Sequence, residues 1–205
     1  MGPFVQQLPV PLKAVVDRLA ELPGLGPKSA LRAALALLRW PRSRADALGR
    51  DILDLREKLC FCGMCAGLSD SDPCPICADP GRNSGQLMVV SEWDGLLALE
   101  EGGFYRGKYL VLGGLLAPLE NVTSKDLEFA RLKKRLEPGQ IQEMILALGT
   151  TLEAETTSSY IKDMAACSFP DVKITRLAQG IPLGAEVKYI DRETLRQSLA
   201  FRQEF

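Results

Sequence analysis

Four cysteines carry the most definite chemistry in the chain. They form two Cys-x-x-Cys pairs, Cys62/Cys65 and Cys74/Cys77, with an eight-residue loop between them. Each pair can set two thiolates on one side of a tight turn. Two such turns facing each other make a tetrahedral four-sulfur cage, the geometry of structural Zn²⁺. The loop between them is polar and contains Pro73, so it has no core of its own and is expected to fold only around its metal. Two rival readings exist. A disulfide pairing needs an oxidising compartment, and the N-terminal MGPFVQQLPVPLK has no apolar run of signal-peptide length. A redox Cys-x-x-Cys is ordinarily single and follows a strand. Zinc is the better reading. Cys60 would stretch the first spacing to four and is left out of the set, and Cys167, beside Ala165 and Ala166 in a predicted helix, reads as a small core residue.

The second chemical signal is Leu22-Pro23-Gly24-Leu25-Gly26-Pro27-Lys28. Gly24 and Gly26 permit a tight, closely approached backbone, and Pro27 suits the first turn of a helix. A helix opening there presents unpaired N–H groups that favour phosphate, and Lys28 and Arg32 add charge beside it. This is the pattern of a helix-hairpin-helix, a sequence-independent reader of the DNA backbone; an ordinary helical hairpin is the plainer alternative. The third signal is acidic: Glu92 and Asp94 after one predicted strand, Glu153 and Glu155 after another. Carboxylates at strand ends can hold Mg²⁺, or they are simply acids favoured at helix N-termini. Gly102-x-x-x-x-Gly107-Lys108 imitates a phosphate-binding loop, but Tyr109 replaces the hydroxyl that such a loop needs and the string precedes a strand.

The elements that position these residues follow from periodicity. Leu12, Val15, Val16 and Leu19 mark a helix over Pro11–Glu21, and the next helix should turn Ala30, Leu31, Ala34, Leu35 and Leu38 inward. A third is expected to start at a Ser43 cap with Asp46 three residues on, carrying a stripe of Ala45, Leu48, Ile52, Leu55 and Leu59, flanked by Arg39, Arg42, Arg44 and Arg50. Beyond the cysteines, strands are predicted at residues 86–91, 108–112, 143–148 and 171–177, with helices at 93–101, from about 124 to 137, and at 156–167 with Tyr160, Ile161, Met164 and Ala165 inward. That alternation implies a mostly parallel, helix-covered sheet, whose ligands sit at the carboxyl ends of the strands. A Gly/Pro loop, a strand over residues 186–190 and a helix from Arg192 close the chain, with Leu195, Leu199, Phe201 and Phe205 as apolar contacts for their own domain or for another subunit.

Composition narrows the function. The 205 residues suit one large or two small domains, and no apolar run reaches the length of a membrane span. The net charge of −1 hides an asymmetry: residues 1–59 carry +4 and residues 60–205 carry −5. The basic part suits a polyanion and the acidic part a metal or a basic partner. The complete absence of histidine removes every mechanism that uses imidazole.

In order, these parts resemble the bacterial RecR family of recombination mediators. The resemblance rests on LPGLGPKSA (Leu22–Ala30), the knuckle ending CPICAD (Cys74–Asp79), LEAETTSSYI (Leu152–Ile161) and RLAQGIPLGAEVKYID (Arg176–Asp191), and it covers nearly the whole chain. It implies an α+β fold in several parts: a helix-hairpin-helix region over 1–59, a four-cysteine zinc knuckle over 60–79, an α/β domain similar to Toprim over 80–178, and a C-terminal segment over 179–205 for oligomer contact. It implies a cytoplasmic, nucleoid-associated protein that is not an enzyme. Such a protein acts with RecO, and in some settings RecF, to help RecA replace single-strand-binding protein on gapped DNA, as a dimer to ring-like tetramer. The departures are Ser91 where the family's first-strand Glu is expected, Glu153-Ala154-Glu155 in place of the Toprim Asp-x-Asp, Gln179 in place of a histidine, and Phe201-Arg202 in place of Gly-Arg. The alternative is a Mg²⁺-dependent Toprim nuclease or strand-passing enzyme.

Overall fold

The computed structural model describes residues 8–202. The chain divides into two compact units between Lys58 and Leu59.

The first unit is helical: α1 Val10–Ala20, α2 Pro27–Leu38 and α3 Arg42–Lys58. Its core is small, with Val16 against Ala30 and Ala34, and Leu12, Leu19 and Leu31 partly covered at its margin. Two alanines on α2 let the helices approach closely, so only a narrow stripe is buried. Val15 and Leu35, expected inward, are 42% exposed, and Leu38 is 71% exposed. α3 buries no residue, and Leu48, Ile52 and Leu55 along its stripe are exposed. Ser43 is not its cap: the helix starts at Arg42, and the N–H groups of Arg44 and Ala45 bond to the carbonyl of Pro41 (3.0 and 3.2 Å). Proline has already set the entry dihedral there.

The second unit begins with the cysteine knuckle. A two-stranded ribbon, β1 Cys60–Phe61 against β2 Leu68–Ser69, carries the first cysteine pair, and the single-turn helix α4 Pro75–Ala78 carries the second. Next come β3 Asn83–Val90, α5 Trp93–Gly102, β4 Gly107–Val111, α6 Phe129–Leu136, β5 Glu143–Ala147, α7 Leu152–Ser168 and β6 Lys173–Arg176. The four longer strands are all parallel, in the order β4-β3-β5-β6. Alternate residues serve the two faces. Leu87, Val89, Leu110, Met144 and Leu146 pack against Phe129, Leu132 and Leu136 of α6 and Ile161 and Ala165 of α7. Met88, Val90, Tyr109 and Val111 pack against Leu96 of α5 and Ala66 of the knuckle. The chain reverses its direction across the sheet after β4. Right-handed crossovers then place α5 on one face and α6 and α7 on the other, and the topological switch point falls between β3 and β5.

Several local expectations change. α6 starts at Phe129, because residues 124–128 form turns in which Asp126 accepts from the N–H and hydroxyl of Thr123. α7 starts a turn earlier than expected, at Leu152, since the Thr151 hydroxyl accepts from the N–H of Ala154 (3.3 Å) and caps it. Residues 186–190 are not a strand: Val187–Tyr189 is a 3₁₀ turn. Their alternating pattern finds no neighbouring strand with which to pair. Asp191 caps the last helix, α8 Arg192–Ala200. Cys167 is exposed on α7, off the buried stripe of Ile161 and Ala165. Tyr160 is 38% exposed and leans on Phe129, with ring centroids 4.7 Å apart. Phe205 lies outside the described residues.

Candidate metal centre and nucleic-acid interface

The four ligand cysteines converge. The Sγ atoms of Cys62, Cys65, Cys74 and Cys77 all lie within 4.8 Å of one another, and all four residues are buried. They are the one group of three or more potential ligands that gathers in this way among the described residues. Local folding sets the spacing. The N–H of Cys62 bonds to the carbonyl of Gly67 and that of Ala66 to Cys62, closing the first turn; Ala66 takes a positive φ of 58° to do so. In the second turn Cys74 is the N-cap of α4, and its sulfur accepts from the N–H of Cys77 (3.4 Å). Two more amides point at sulfur, Gly67 N–H at Cys65 and Cys74 N–H at Cys62, both at 3.4 Å.

The thiols of the cage strongly perturb one another's titration. Cys65 falls to about 5, first because the thiol of Cys77 donates to its sulfur. Cys74 is pushed up to about 11, chiefly by burial, and Cys77 is raised further because its proton is held by Cys65. A tetrahedral Zn²⁺ with Zn–S near 2.3 Å separates its sulfurs by about 3.8 Å, and Cys65 and Cys74 already stand 3.6 Å apart. The donor set, its spread and its amide contacts fit Zn²⁺. Bound there, zinc supplies charge and a cross-link to the knuckle, not chemistry on a substrate.

Two residues that sequence reasoning passed over hold this cage to the sheet domain. Lys108 on β4, dismissed with the false phosphate loop, is only 7% exposed. Its ammonium donates to the carbonyls of Ile76 (3.0 Å), Cys77 (3.1 Å) and Asp79 (2.7 Å). Arg131 on α6 donates to the carbonyls of Cys62 (3.0 Å) and Gly63, and its Nε to Glu128 (2.9 Å). The backbone joins in, with the N–H of Val111 on the carbonyl of Cys65 (2.8 Å).

The glycine turn lies in the first unit. Gly24 has φ +79°, a left-handed conformation that a side chain resists. Gly26 is the extended N-cap of α2 at φ −70°, and a Cβ built on it meets nothing within 4 Å. Nothing among the described residues requires glycine at 26. No described side chain caps α2; Ser29 and Ala30 direct their N–H groups to the carbonyl of Gly26, and Lys28 N–H, at a position with no intrahelical acceptor, has no partner among the described residues. Lys28 and Arg32 are both exposed. On α3, Arg44 lies over the Trp40 ring at 3.9 Å.

The acidic residues flank the switch point without converging. Glu92 is the extended N-cap of α5, beyond β3. Asp94 accepts from the N–H of Gly95 (2.7 Å). Beyond β5, Glu153 sits below the usual carboxylate range because its own backbone N–H and the Thr151 hydroxyl donate to it. Glu155 is paired with Arg176 of β6 at 2.9 Å. Among the described residues no three carboxylates gather as the four sulfurs do. Glu92 and Trp93 instead line a groove of about 340 Å³ with Phe61, Asp126 and Glu128.

Family comparisons follow the same division. A helix-hairpin-helix model of RecR matches residues 12–55, a RecR four-cysteine zinc-finger model 59–79, a Toprim-domain model 85–178, and a RecR C-terminal model 180–203. A protein named recombination protein RecR from Nitratidesulfovibrio vulgaris is 59% identical over 98% of this chain and 100% of its own. The chain belongs to the RecR family. A second RecR, from Maridesulfovibrio salexigens, is 57% identical over 97% of this chain and 99% of its own; another, from Bifidobacterium adolescentis, is 40% identical over 94% and 95%. The RecR match carries a role in recombination and repair. It also identifies the knuckle as a four-cysteine zinc finger, in agreement with the cage described above. No helix among the described residues is long and apolar enough to cross a membrane.

Proposed function

We propose that this member of the RecR family is a sequence-indifferent DNA-binding mediator. It acts with RecO, and in some settings RecF, to help RecA load on gapped or single-stranded DNA coated by single-strand-binding protein. The observation that carries the reading is the α2 N-terminus: an unobstructed Gly26, a Lys28 N–H with no partner among the described residues, and the exposed cations of Lys28 and Arg32. Gly24 and Gly26 let a phosphate approach the backbone, and Lys28 and Arg32 neutralise it. A contact of this kind reads no bases.

The acidic end of the sheet is the surface for a basic partner. Glu92 and Asp94 on one side of the switch point, and Glu153 and Glu155 on the other, spread their charge over the surface, and Trp93 in the adjoining groove offers an aromatic face to a cation. Holding Mg²⁺ there would require the carboxylates to converge, and Glu155 is already engaged by Arg176. In the C-terminal segment Leu183, Tyr189, Leu199 and Phe201 are all exposed, which supports exchange of this segment between subunits of a dimer or ring-like tetramer. A protein that tracks DNA in this way is expected in the cytoplasm, with the nucleoid.

The test uses a labelled gapped duplex, Mg²⁺ and zinc-loaded protein. Anisotropy is followed against salt, and the same DNA is then run on a denaturing gel. The mediator reading expects steeply salt-dependent binding and intact strands. Cut strands, with cutting lost in Glu153→Gln, would replace it with the Mg²⁺-dependent enzyme.

A further inference from the structure

Lys108 poses an electrostatic problem. An ammonium that is 7% exposed is costly to bury unless negative charge lies close by. An ammonium has three donors, and all three of Lys108's go to neutral backbone carbonyls, those of Ile76, Cys77 and Asp79. The carboxylate nearest in sequence to these acceptors, that of Asp79, is turned to the N–H of Gly81 (2.8 Å) and towards Arg82 (3.7 Å). Arg131 repeats the arrangement on the other ligand turn, with its guanidinium on the carbonyls of Cys62 and Gly63. Each Cys-x-x-Cys turn thus has one cation from the sheet domain fixed to its backbone, and each cation touches the carbonyl of a ligand cysteine. A Zn²⁺ held by four thiolates carries a net charge of about −2, and the two cations carry the opposite charge.

We propose that Lys108 and Arg131 are the counter-cations of the four-cysteine centre, positioning residues that set its zinc affinity by holding the ligand turns and offsetting the charge of the tetrathiolate. The inference rests on the centre holding zinc. Lys108 carries the larger share, because Arg131 divides its charge with Glu128. The geometry also explains why Lys108 accepts burial against carbonyls alone: one of the residues it grips, Cys77, is itself a ligand of the charged centre. A plainer role, capping the free carbonyls of α4, would need the three hydrogen bonds but not the charge.

Zinc affinity is measured on the full chain by competition with a chromophoric chelator, and zinc content by elemental analysis. The sulfur-to-metal charge-transfer band is read on protein reconstituted with Co²⁺. The variants are Lys108→Gln, which keeps donors but loses charge, Arg131→Gln, and Arg131→Lys, which keeps charge. Residues around a metal's ligands typically influence its affinity by about 10–100-fold. Lys108→Gln is expected in that range, Arg131→Gln lower in it, and Arg131→Lys close to wild type. Loss of a cation leaves the sulfurs more electron-rich, so the band should move to longer wavelength in both Gln variants and stay in place in Arg131→Lys. Affinities within about twofold of wild type with an unmoved band overturn the proposal, as does an equal loss in Arg131→Lys and Arg131→Gln. If Lys108→Gln fails to fold, the Arg131 pair decides. Wild-type protein without stoichiometric zinc would instead overturn the zinc reading beneath it.

Discussion

Replacing Gly26 by alanine tests whether this glycine serves the proposed DNA contact while Gly24 serves the fold. Gly24 and Gly26 sit two residues apart in one turn, yet the structure asks different things of them. Gly24 is at φ +79°, where a Cβ meets no atom but the dihedral itself is unfavourable. Alanine there should cost about 1–2 kcal/mol of stability. Gly26 is at φ −70° with nothing within 4 Å of an added Cβ. Alanine there loses a few tenths as an N-cap and regains a similar amount by stiffening the unfolded chain, so stability should stay within about 0.5 kcal/mol of wild type. If phosphate binds as proposed, a methyl group at 26 stands in its path to the N–H groups of α2. Losing one charge-assisted hydrogen bond costs about 1.5–3 kcal/mol, a fall in affinity of about 10- to 150-fold. The assay pairs urea unfolding of both variants with anisotropy titration on one gapped duplex at fixed salt. The reasoning fails if Gly26→Ala binds like wild type, or if it loses as much stability as Gly24→Ala.

Other expectations follow from the same geometry. Each phosphate contact contributes about 0.9 to the log–log salt slope on duplex DNA; over a fourfold rise in salt the Lys28→Ala/Arg32→Ala double variant should therefore lose about 12-fold less affinity than wild type, and parallel lines would remove both residues from the interface. Glu100 is held below its ordinary value of 4.5 by its hydrogen bonds from Arg82, so its contribution to stability is present above that value and is lost as pH falls through the lower folded one. Glu100→Gln should flatten the acid limb of a stability–pH curve below about pH 4.5, and an unchanged limb would show that the pair contributes nothing. Glu155 and Arg176 are each nearly half exposed, so Glu155→Gln should change stability by less than about 1 kcal/mol; if the acidic surface meets a basic partner, pull-down of RecO should weaken while DNA binding stays intact.

The ligand cysteines were legible because their signal is local: spacing within each pair fixes a turn, and chemistry requires the turns to meet. The strands were legible for the same reason, and β3, β4, β5 and β6 lie within a few residues of their expected places. Lys108 and Arg131 were not legible. Their partners are backbone carbonyls about thirty residues away for Lys108 and nearly seventy for Arg131, and a carbonyl leaves no residue-type signature. The apolar faces of α2 and α3 were read at the correct period, but among the described residues Leu35 and Leu38 of α2 and the stripe of α3 stay exposed; periodicity tells which residues share a face and says nothing about what covers it. Residues 186–190 alternate as a strand would, and the pattern was overridden because strand formation needs an edge to join.

β4 is the outermost strand of its sheet, and it is the strand to which the knuckle is fastened through Lys108 and the N–H of Val111. An exposed sheet edge invites pairing with whatever strand arrives, including that of another copy. The knuckle covers this edge, and its own folding depends on metal. Metal loss should therefore be felt at β4 as well as in the knuckle. A chain stripped of its metal is expected to keep its helices and most of its sheet but to expose β4 as a template for strand addition. Titrating a chelator into dilute protein while following light scattering should reveal growth into irregular aggregates, distinct from closed rings and reversed only by zinc added early. Scattering that stays flat after the metal has left would show that β4 is protected by other means.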